Sequence, residues 1–279
     1  MVPACSQSCF LFFAFYLNMN LLHFNNLQAS QGLVHFQTTR EGGCSLPPFD
    51  TTNMSYSVGD NPYNVLRNRE ALAAQIGETA GRFVFIKQVH GTRIAVVTDR
   101  ECGRGVWPWL DDKIEGTDGL ITNTPHVVIS VKTADCIPVL LFDPVQRVIA
   151  AIHAGWRGTA ARILPHAVEI MQSRFGSRPA DLLAGIGAGA GACCYEVSEE
   201  VYNAIRSSLQ DSPYPTCAEN NRHIDLKEIN RMQLVECGVQ AAHIEVSPLC
   251  SICNPRVIFS HRASGGVAGR SLTGICLKW

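Results

Sequence analysis

Residues 130–159 read SVKTADCIPVLLFDPVQRVIAAIHAGWRGT, and this stretch predicts two strands joined by a turn. An apolar run over residues 137–142 precedes Asp143-Pro144, and a second apolar run covers residues 148–152. Asp-Pro is a turn signal, and short apolar runs bounded by turn residues are typical of buried strands. We therefore expect an antiparallel hairpin over this stretch.

The register of this hairpin brings two reactive side chains together. A turn over residues 143–146 would place Cys136 directly opposite His153. Residues that face each other in an antiparallel pair have Cβ atoms about 4.5–5.5 Å apart. A thiolate and an imidazole at that distance can share a metal ion or act as nucleophile and base. An apolar hairpin can also carry a cysteine and a histidine that have no joint role, so the register alone leaves these interpretations open.

The composition limits the class of protein. The chain has 279 residues, 46% of them hydrophobic, which is enough for a full core without disulfides. The formal net charge is −1 and no basic run is present, so there is no case for a nucleic-acid surface. Twelve cysteines, including the adjacent Cys193-Cys194, predict reduced thiols in a cytoplasmic protein rather than a disulfide scaffold.

Residues 1–30 are interpreted as an N-terminal extension plus the start of the domain. Residues 9–17, CFLFFAFYL, form an apolar run that is too short to span a bilayer. No Lys or Arg precedes Arg40, so a signal peptide would lack its positive region. We expect translation to start at Met19, and residues 31–279 to form a single domain with no membrane association.

Helix and strand signals predict one mixed α/β domain. Asn61 is expected to cap a helix with Pro62 at its first position and Gly77 after its end. A helix capped by Thr159 should have an irregular first turn at Pro165. Further helices are expected after Ser198 and Asp225, a polar loop at residues 211–221, strands starting at Leu33 and Leu182, and strands at residues 82–90, 92–97, 118–122, 127–131, 243–248, 256–260 and 272–277. Strands outnumber helices and many neighbours look antiparallel, which favours a mixed fold.

A catalytic zinc site needs a third protein ligand beside Cys136 and His153, with a fourth position left open. His90 is the best candidate, because it ends an expected strand beside Gly91. Three other histidines are expected to be ordinary surface or core residues. His166 lies in a helix pattern, His126 follows a proline, and His223 lies in a polar loop.

Two charged residues near these ligands have open roles. Asp135 adjoins Cys136 but should point to the opposite strand face, where it orients either a loop amide or a group behind the ligands. Arg157 precedes a helix N-terminus, a pairing that suits a phosphate. A surface position over Trp156 is equally compatible with the sequence.

Two other patterns resemble known binding motifs but lack parts that those motifs need. The glycine-rich loop at residues 185–194 lacks the following helix and acidic partner of a dinucleotide site, so its glycines are expected to permit close backbone packing or to line a substrate loop. Cys250-x-x-Cys253 lacks a second cysteine pair at zinc-ribbon spacing, which predicts no metal there.

Spaced motifs in the chain resemble those of one known family. The matching blocks are HFQTTREGG (35–43), NMSYSVGDNP (53–62), KQVHG (87–91), TDGLIT (117–122), TADCIPVLLFD (133–143), AAIHAGWRGT (150–159), GIGAGAGACCYEV (185–197) and SPLCSICNPRVIFSHRASGGVAGR (247–270). Together they resemble the YfiH-like family, long labelled multicopper polyphenol oxidase or laccase-domain. The similarity covers nearly everything after Met19. The chain departs from the family where a proline in the glycine loop is replaced by Ala188 or Ala192, and where Ala263 follows Arg262.

The resemblance implies a fold, a cofactor and a site. The fold is a layered α/β/β/α sandwich with mixed sheets, formed by one catalytic domain. The implied metal ligands are His90, Cys136 and His153, with Zn²⁺ as the cofactor. Copper is less expected, because the chain has too few suitable histidines for several copper ions. Candidate catalytic residues are Arg40 and Arg157, for binding phosphate, and Asp135.

The family is assigned as zinc-containing purine nucleoside phosphorylases that also deaminate adenosine. The resemblance therefore implies purine nucleosides (adenosine, inosine and S-methyl-5′-thioadenosine) and phosphate as partners, no nucleic acid, and a cytoplasmic monomer or small homo-oligomer. Three alternatives stay open. They are a cysteine hydrolase with Cys136 as nucleophile and His153 as base, a copper-dependent polyphenol oxidase, and a non-catalytic zinc protein in cell-wall precursor editing.

Overall fold

The computed structural model describes residues 17–209 and 222–279. The polar loop expected at residues 211–221 and nearly all of the apolar run at residues 9–17 lie outside the described residues. Within the described part of the chain, no helix is both long enough and apolar enough to cross a membrane.

The described residues form two sheets and their covering helices. The strands are β1 (Leu21–Leu22), β2 (Leu33–Thr38), β3 (Phe83–Val84), β4 (Ile94–Val96), β5 (Gly119–Thr122), β6 (Val128–Thr133), β7 (Ile137–Asp143), β8 (Val148–Ala154), β9 (Leu183–Ile186), β10 (Ile244–Val246) and β11 (Ser271–Leu277). The α-helices are α1 (Asn25–Gln28), α2 (Pro62–Gln75), α3 (Trp156–Ala160), α4 (Ile163–Phe175), α5 (Glu199–Ser208) and α6 (Leu226–Glu236). Short 3-10 helices cover Tyr56–Val58, Ala80–Arg82, Asp99–Glu101, Pro179–Asp181 and Ala241–His243.

The strands form one five-stranded sheet, in the order β1-β2-β11-β6-β3, and one six-stranded sheet, in the order β10-β9-β7-β8-β5-β4. Both sheets are mixed: most neighbours are antiparallel, but β3–β6, β4–β5 and β9–β10 are parallel. The hairpin β7–β8 lies at the centre of the six-stranded sheet, so the stretch quoted first supplies its two middle strands.

Side-chain alternation along β7 shows how the layers are stacked. Val139 and Leu141 pack against α4 and α6 on the outer face, whereas Leu140 and Phe142 pack against the five-stranded sheet. Successive side chains of a strand point to opposite faces, so a strand buried on both sides is apolar throughout. On the far side, Leu72 of α2 covers the outer face of the five-stranded sheet. The expected α/β/β/α sandwich is confirmed.

The expected register of the hairpin was wrong by two residues. His153 pairs with Pro138, and Asp143 pairs with Val148, so Cys136 does not lie directly opposite His153. A shift of two residues keeps every side chain on its face, whereas a shift of one would reverse it. Cys136 therefore stays on the inter-sheet face with His153, one diagonal step away.

The shift arises at the turn. Asp143 remains in the strand, and its Oδ1 accepts the backbone N–H groups of Val145 and Gln146 at 2.8 and 3.0 Å. Arg147 then adopts a left-handed conformation with φ 54°. The four connecting residues, 144–147, centre the turn one residue later than the Asp-Pro signal indicated.

Several element boundaries also differ from the prediction. The strand expected at residues 82–90 is reduced to Phe83–Val84, and residues 256–260 form turns rather than a strand. Thr159 does not cap a helix, because it lies inside α3. The chain breaks at Arg162 (φ 60°) before α4, whose first turn holds Pro165, as the missing proline N–H leads one to expect.

The chain from Met19 onward is integral to the sandwich. The Met19 N–H donates to Gln75 Oε1 at 2.9 Å, β1 pairs with β2, and Leu27 of α1 is fully buried between the sheets. The motif blocks, the first of which starts at His35, therefore pack on a short N-terminal segment that they do not include.

His35 of β2 gives the fold a specific pH dependence. Burial, and then nearby His23, lower the pKa of His35 to about 4, and its Nε2 accepts the Phe24 N–H at 2.8 Å. An unfolded histidine titrates near 6.5, so between pH 6.5 and 4 the unfolded chain binds the additional proton. The stabilisation is complete above pH 6.5, and about 3 kcal/mol of it should be lost as the pH falls to 4.

The measurement is urea unfolding of the wild type and a His35→Gln variant at several pH values. We expect the variant to be less stable at pH 7 but to lose less free energy of unfolding between pH 6.5 and 4. Parallel curves for the two proteins would show that His35 is not the titrating group.

Candidate metal centre and its cavity

The three predicted ligands meet at one end of the space between the sheets. One nitrogen from each of His90 and His153 and the sulfur of Cys136 all lie within 4.8 Å of one another. Cys136 directly precedes β7, His153 belongs to β8, and His90 lies on the loop between β3 and β4. The two imidazole rings have centroids 4.9 Å apart and are nearly perpendicular. We call these three residues the His-Cys-His cluster.

Gly155 leaves the space that the cluster needs. A Cβ atom at this position would lie 2.9 Å from Cδ2 of His90 and 3.2 Å from Sγ of Cys136. Any larger residue would therefore push one of these two side chains away. The glycine of the sequence HAGWRG thus has a steric role that follows from the hairpin geometry.

Asp118 orients the cluster, and the sequence analysis did not single it out. Its Oδ1 lies 2.9 Å from Nδ1 of His153, and its carboxylate also accepts the backbone N–H groups of His90 at 2.9 Å and Gly91 at 2.8 Å. These bonds hold His90 in a left-handed conformation with φ 61°. A carboxylate that accepts the Nδ1 proton leaves Nε2 of a histidine available for a metal. The signal was the TDG motif: Asp118 shares the strand face of Leu120.

The cluster stabilises a charged thiolate. Burial would raise the pKa of Cys136, but the adjacent His153 and His90 outweigh it and lower the pKa to about 6. Burial would lower the pKa of His153, but the Cys136 thiolate and the bond to Asp118 raise it. Burial likewise opposes ionisation of Asp118, yet hydrogen bonds from His153 and Gly91 lower its pKa. The cluster therefore presents a negative donor to any bound cation.

The donor set fits a transition-metal ion. Two imidazoles and one thiolate are ligands that Zn²⁺ uses in proteins, and three protein ligands leave a fourth position for a reactant. The room made by Gly155 and the carboxylate behind His153 are the features expected around such an ion. The same three ligands also bind copper when a weak axial ligand completes them, commonly a methionine. No methionine is among the described residues that line the cavity beside the cluster.

The cluster opens into a cavity of about 910 Å³, within the size range of small-molecule sites. The charged residues of its lining are mostly cationic, with two acidic residues, Asp111 and Asp135. The basic side chains are Lys87, Lys113, Lys132, Arg262 and Arg270.

Lys132 and Arg270 are two cations of the cavity that no carboxylate of the described residues pairs; Arg262 also has no ion pair there, but its guanidinium lies over the Tyr195 ring and donates to the Glu196 carbonyl oxygen. Lys87 and Lys113 each form an ion pair with a neighbouring carboxylate. Neither Lys132 nor Arg270 has a carboxylate at ion-pair distance among residues 17–209 and 222–279. Burial, then the charges of Arg69, Lys113 and Arg270, lower the pKa of Lys132 to about 7. Excess positive charge of this kind favours an anionic ligand.

Asp135 fastens a long loop to the cluster. Its carboxylate accepts hydrogen bonds from Oγ of Ser251 and Ser260, both at 2.6 Å, and from the Arg262 N–H at 2.8 Å. Its backbone is left-handed, with φ 88°. Of the two roles left open, orientation of a loop amide is the one seen. Gly189 packs equally closely, because a Cβ there would lie 2.8 Å from the Asp135 carbonyl oxygen.

The structure does not bring Arg40 or Arg157 to the cavity lining. Arg40 donates to the Asp50 carboxylate and to the carbonyl oxygens of Asp50 and Pro255, which occupies its guanidinium. The Arg157 guanidinium lies 4.2 Å from the centre of the Trp156 ring. A single sequence shows neither which strand faces a cavity nor which arginine already has hydrogen-bond partners; the cavity is instead lined by Lys132 and Arg270.

Substitution of Asp118 should weaken the cluster without removing a ligand. We expect Asp118→Asn to lower metal affinity or activity by about 10- to 100-fold, as loss of a carboxylate behind a ligating histidine does. Competition with a chromogenic chelator measures the affinity. Asp181→Asn, at an exposed ion pair with Arg178, is the control and should be neutral. Equal affinities of both variants and wild type would contradict the role of Asp118.

A His-Cys-His cluster that could hold a metal ion, at one end of an α/β/β/α sandwich, defines the class of protein to which the fold and the site point. Residues 34–278 match the family described as multi-copper polyphenol oxidoreductase laccase, and the chain belongs to that family. The resemblance drawn from the motifs is thereby confirmed.

Named relatives cover most of the chain. The purine nucleoside phosphorylase YlmD of Geobacillus stearothermophilus is 38% identical over 247 residues, which are 88% of this chain and 90% of that protein. Adenosine deaminase RL5, from an unknown prokaryotic organism, is 36% identical over 251 residues, which are 89% of this chain and 95% of that protein. The crystal structure of YlmD from Geobacillus stearothermophilus superposes with a TM-score of 0.86 at 36% identity, over 92% of this chain and 94% of that one.

Proposed function

We propose that this chain is a zinc-dependent purine nucleoside phosphorylase that accepts adenosine, inosine and S-methyl-5′-thioadenosine and also deaminates adenosine. One observation carries the proposal: the His-Cys-His cluster and the available cations Lys132 and Arg270 line the same cavity. The names of the relatives, purine nucleoside phosphorylase and adenosine deaminase, support both activities.

The donor set supports zinc as the ion. His90, Cys136 and His153 would hold it, and Asp118 would keep His153 in the tautomer that binds a metal. When bound, zinc supplies Lewis-acid activation, which no side chain of the cavity provides. The family's description suggests a polyphenol oxidase, but that activity would require several copper ions. The cluster offers ligands for one ion, so copper is the less favoured interpretation.

Phosphate would be held by the cationic part of the cavity. In phosphorolysis a phosphate oxygen forms a bond to the anomeric carbon of the ribose, and the glycosidic bond breaks with its electron pair going to the purine. Lys132 and Arg270 are placed to bind and orient the anion, since charge-assisted hydrogen bonds from Lys and Arg are the usual phosphate contacts. Burial, then the nearby Cys136 thiolate, raise the pKa of Tyr195 to about 12, so its hydroxyl remains a hydrogen-bond donor to substrate.

The cellular setting is part of the same proposal. The nine cysteines among the described residues are all free, which supports a reducing compartment such as the cytoplasm. We include a monomer or small homo-oligomer in the proposal, with no nucleic acid or membrane partner.

A cysteine hydrolase is the second candidate, because Cys136, His153 and Asp118 lie in the order of a nucleophile, a base and an orienting carboxylate. Metal content separates the two, since a thiolate bound to zinc is not a free nucleophile. A non-catalytic zinc protein would bind the metal but show no turnover.

The test is phosphate-dependent release of base from inosine, followed on one purified sample whose metals are also measured. We expect hypoxanthine only when phosphate is present, and conversion of adenosine to inosine without it. Arg157→Ala is the control and should retain both activities, because its guanidinium stacks on Trp156. Two results together would favour the cysteine hydrolase. The metal-free protein would release base without phosphate, and alkylation of Cys136 would abolish that activity.

A further inference from the structure

A second group of metal-ligating side chains lies outside the His-Cys-His cluster. The sulfur atoms of Cys193, Cys194, Cys250 and Cys253 all lie within 4.8 Å of one another. The Cys253 sulfur is 3.3 Å from that of Cys193 and 3.2 Å from that of Cys194. The two pairs come from different loops, one after β9 and one after β10. The expectation that Cys250-x-x-Cys253 binds no metal considered spacing along the chain, and the fold supplies the missing pair.

We propose that Cys193, Cys194, Cys250 and Cys253 bind a structural Zn²⁺ ion, separate from the ion of the His-Cys-His cluster. The proposal of this tetracysteine site does not rest on the proposed catalytic function. Four thiolates are a typical closed zinc site, and a closed site leaves no position for substrate.

The spacing of the sulfur atoms fits this ion better than a disulfide. Zinc–sulfur bonds of about 2.3 Å in a tetrahedron place sulfur atoms about 3.8 Å apart. The observed limit of 4.8 Å and the two short separations of 3.2 and 3.3 Å bracket that value. A disulfide would join only two of the four atoms, at about 2.05 Å.

The backbone around the cysteines is arranged as a support for sulfur ligands. The Gly191 N–H donates to the Cys250 sulfur at 3.2 Å. A Cβ on Gly191 would lie 3.1 Å from Cβ of Cys250 and 3.4 Å from Sγ of Cys193, so only glycine leaves this space open. Asn254 donates from both its backbone and its side chain to the Cys250 carbonyl oxygen, which closes the C-x-x-C turn. Hydrogen bonds around the ligands are a regular part of metal sites.

The tetracysteine site would fasten the two loops that form one wall of the cavity. The Ser251 N–H donates to the Gly189 carbonyl oxygen at 2.9 Å, and Ser251 Oγ donates to Asp135 beside the His-Cys-His cluster. Tyr195, which lines the cavity, directly follows Cys194. Cys193 and Cys253 are exposed, whereas Cys250 and Ser251 beside them are buried. A bound ion would join the exposed Cys193 and Cys253 to this buried part of the cavity wall.

Zinc content of the full chain tests the proposal. We expect about two Zn²⁺ per wild-type chain by inductively coupled plasma mass spectrometry, and about one in a Cys250→Ser/Cys253→Ser variant. Cys136→Ser should also retain about one, because it removes only the ion of the other cluster. Cys44→Ser, at a thiol outside both clusters, is the control and should retain the wild-type content. An unchanged zinc content in the double variant would overturn the proposal.

A second measurement keeps the proposal testable if the double variant does not fold. The Cys136→Ser chain is purified, stripped of metal and titrated with Co²⁺, whose absorption reports the number of bound thiolates. We expect the intense thiolate-to-cobalt charge-transfer bands of a tetrahedral four-sulfur site, saturating at one equivalent. A spectrum without these bands, or a disulfide among the four cysteines in the freshly purified protein, would overturn the tetracysteine site. Phosphorolysis by the wild type is measured separately, so failure of one proposal does not imply failure of the other.

Discussion

Replacing Cys136 with serine should remove zinc from the His-Cys-His cluster and lower phosphorolysis and adenosine deamination together, by about 10³-fold or more. The serine hydroxyl is not ionised at neutral pH, whereas the cavity stabilises the Cys136 thiolate as the anionic donor of the cluster. Losing the ion removes several kcal/mol of charge stabilisation, and each 1.36 kcal/mol is about a factor of ten in rate.

The measurement compares kcat/KM for inosine phosphorolysis and for adenosine deamination in wild type, Cys136→Ser and Cys44→Ser. Cys44 is a half-buried thiol that donates only to the Asn64 carbonyl oxygen, so its substitution should leave both rates unchanged. If Cys136→Ser abolished one activity and spared the other, the two reactions would not share the cluster.

The second large effect is expected at Lys132. Lys132→Met should lower kcat/KM for phosphate by about 10²-fold, because a hydrogen bond to a charged group contributes about 1.5–3 kcal/mol. Deamination consumes no phosphate and should be nearly unchanged. Lys87→Met is the matched control: Lys87 lines the same cavity but is paired with Glu115, so a change of less than about threefold is expected. Equal loss of both activities in Lys132→Met would indicate a structural role instead.

The pH dependence follows from the same residue. The pKa of Lys132 is about 7, so its ammonium group is charged below pH 7 and neutral above it. Loss of this charge should therefore weaken phosphate binding as the pH rises through 7, and it opposes the effect of the growing negative charge on phosphate itself. In Lys132→Arg the guanidinium stays charged at every accessible pH, so this decrease should be absent. A wild-type profile unchanged by the arginine would assign the titration to another group.

Hydrophobic patterning predicted the two buried strands of the hairpin because it reports burial directly, whereas the α/β/β/α layering was implied by the family resemblance. The runs at residues 137–142 and 148–152 are apolar on both faces, and only strands covered on both sides need that composition. The register was missed because Asp143 caps the turn from within β7, a local hydrogen bond that the Asp-Pro signal does not specify. The error did not change the face of Cys136, so Cys136 and His153 still lie on the same side of the sheet.

The parts of the site that sequence reasoning missed depend on contacts between distant segments. Asp118 acts on His90 and His153 from a third segment, and no periodicity relates the three. Lys132 lies within a predicted strand, and only the stacking of the two sheets shows that this residue lines the cavity. Arg40 was preferred as a phosphate ligand because its bonds to Asp50 and Pro255 cannot be read from one sequence.

The tetracysteine site is also a case in which the sequence alone could not predict contacts between distant segments. Cys250-x-x-Cys253 is a recognisable pattern, but its partner pair Cys193-Cys194 has no standard zinc spacing. The parallel bridge between Gly189 and Cys250 brings the two loops together. Spacing rules describe sites built within one segment, and a site shared by two loops becomes visible only with the fold.

The most direct test of the central claim is phosphorolysis of inosine by one preparation before metal removal, after it, and after re-addition of single metals. We predict that activity is lost with the metal and restored by Zn²⁺ in the wild type, but not in Cys136→Ser. Activity that survives complete metal removal, or that only Cu²⁺ restores, would contradict a zinc phosphorylase built on His90, Cys136 and His153.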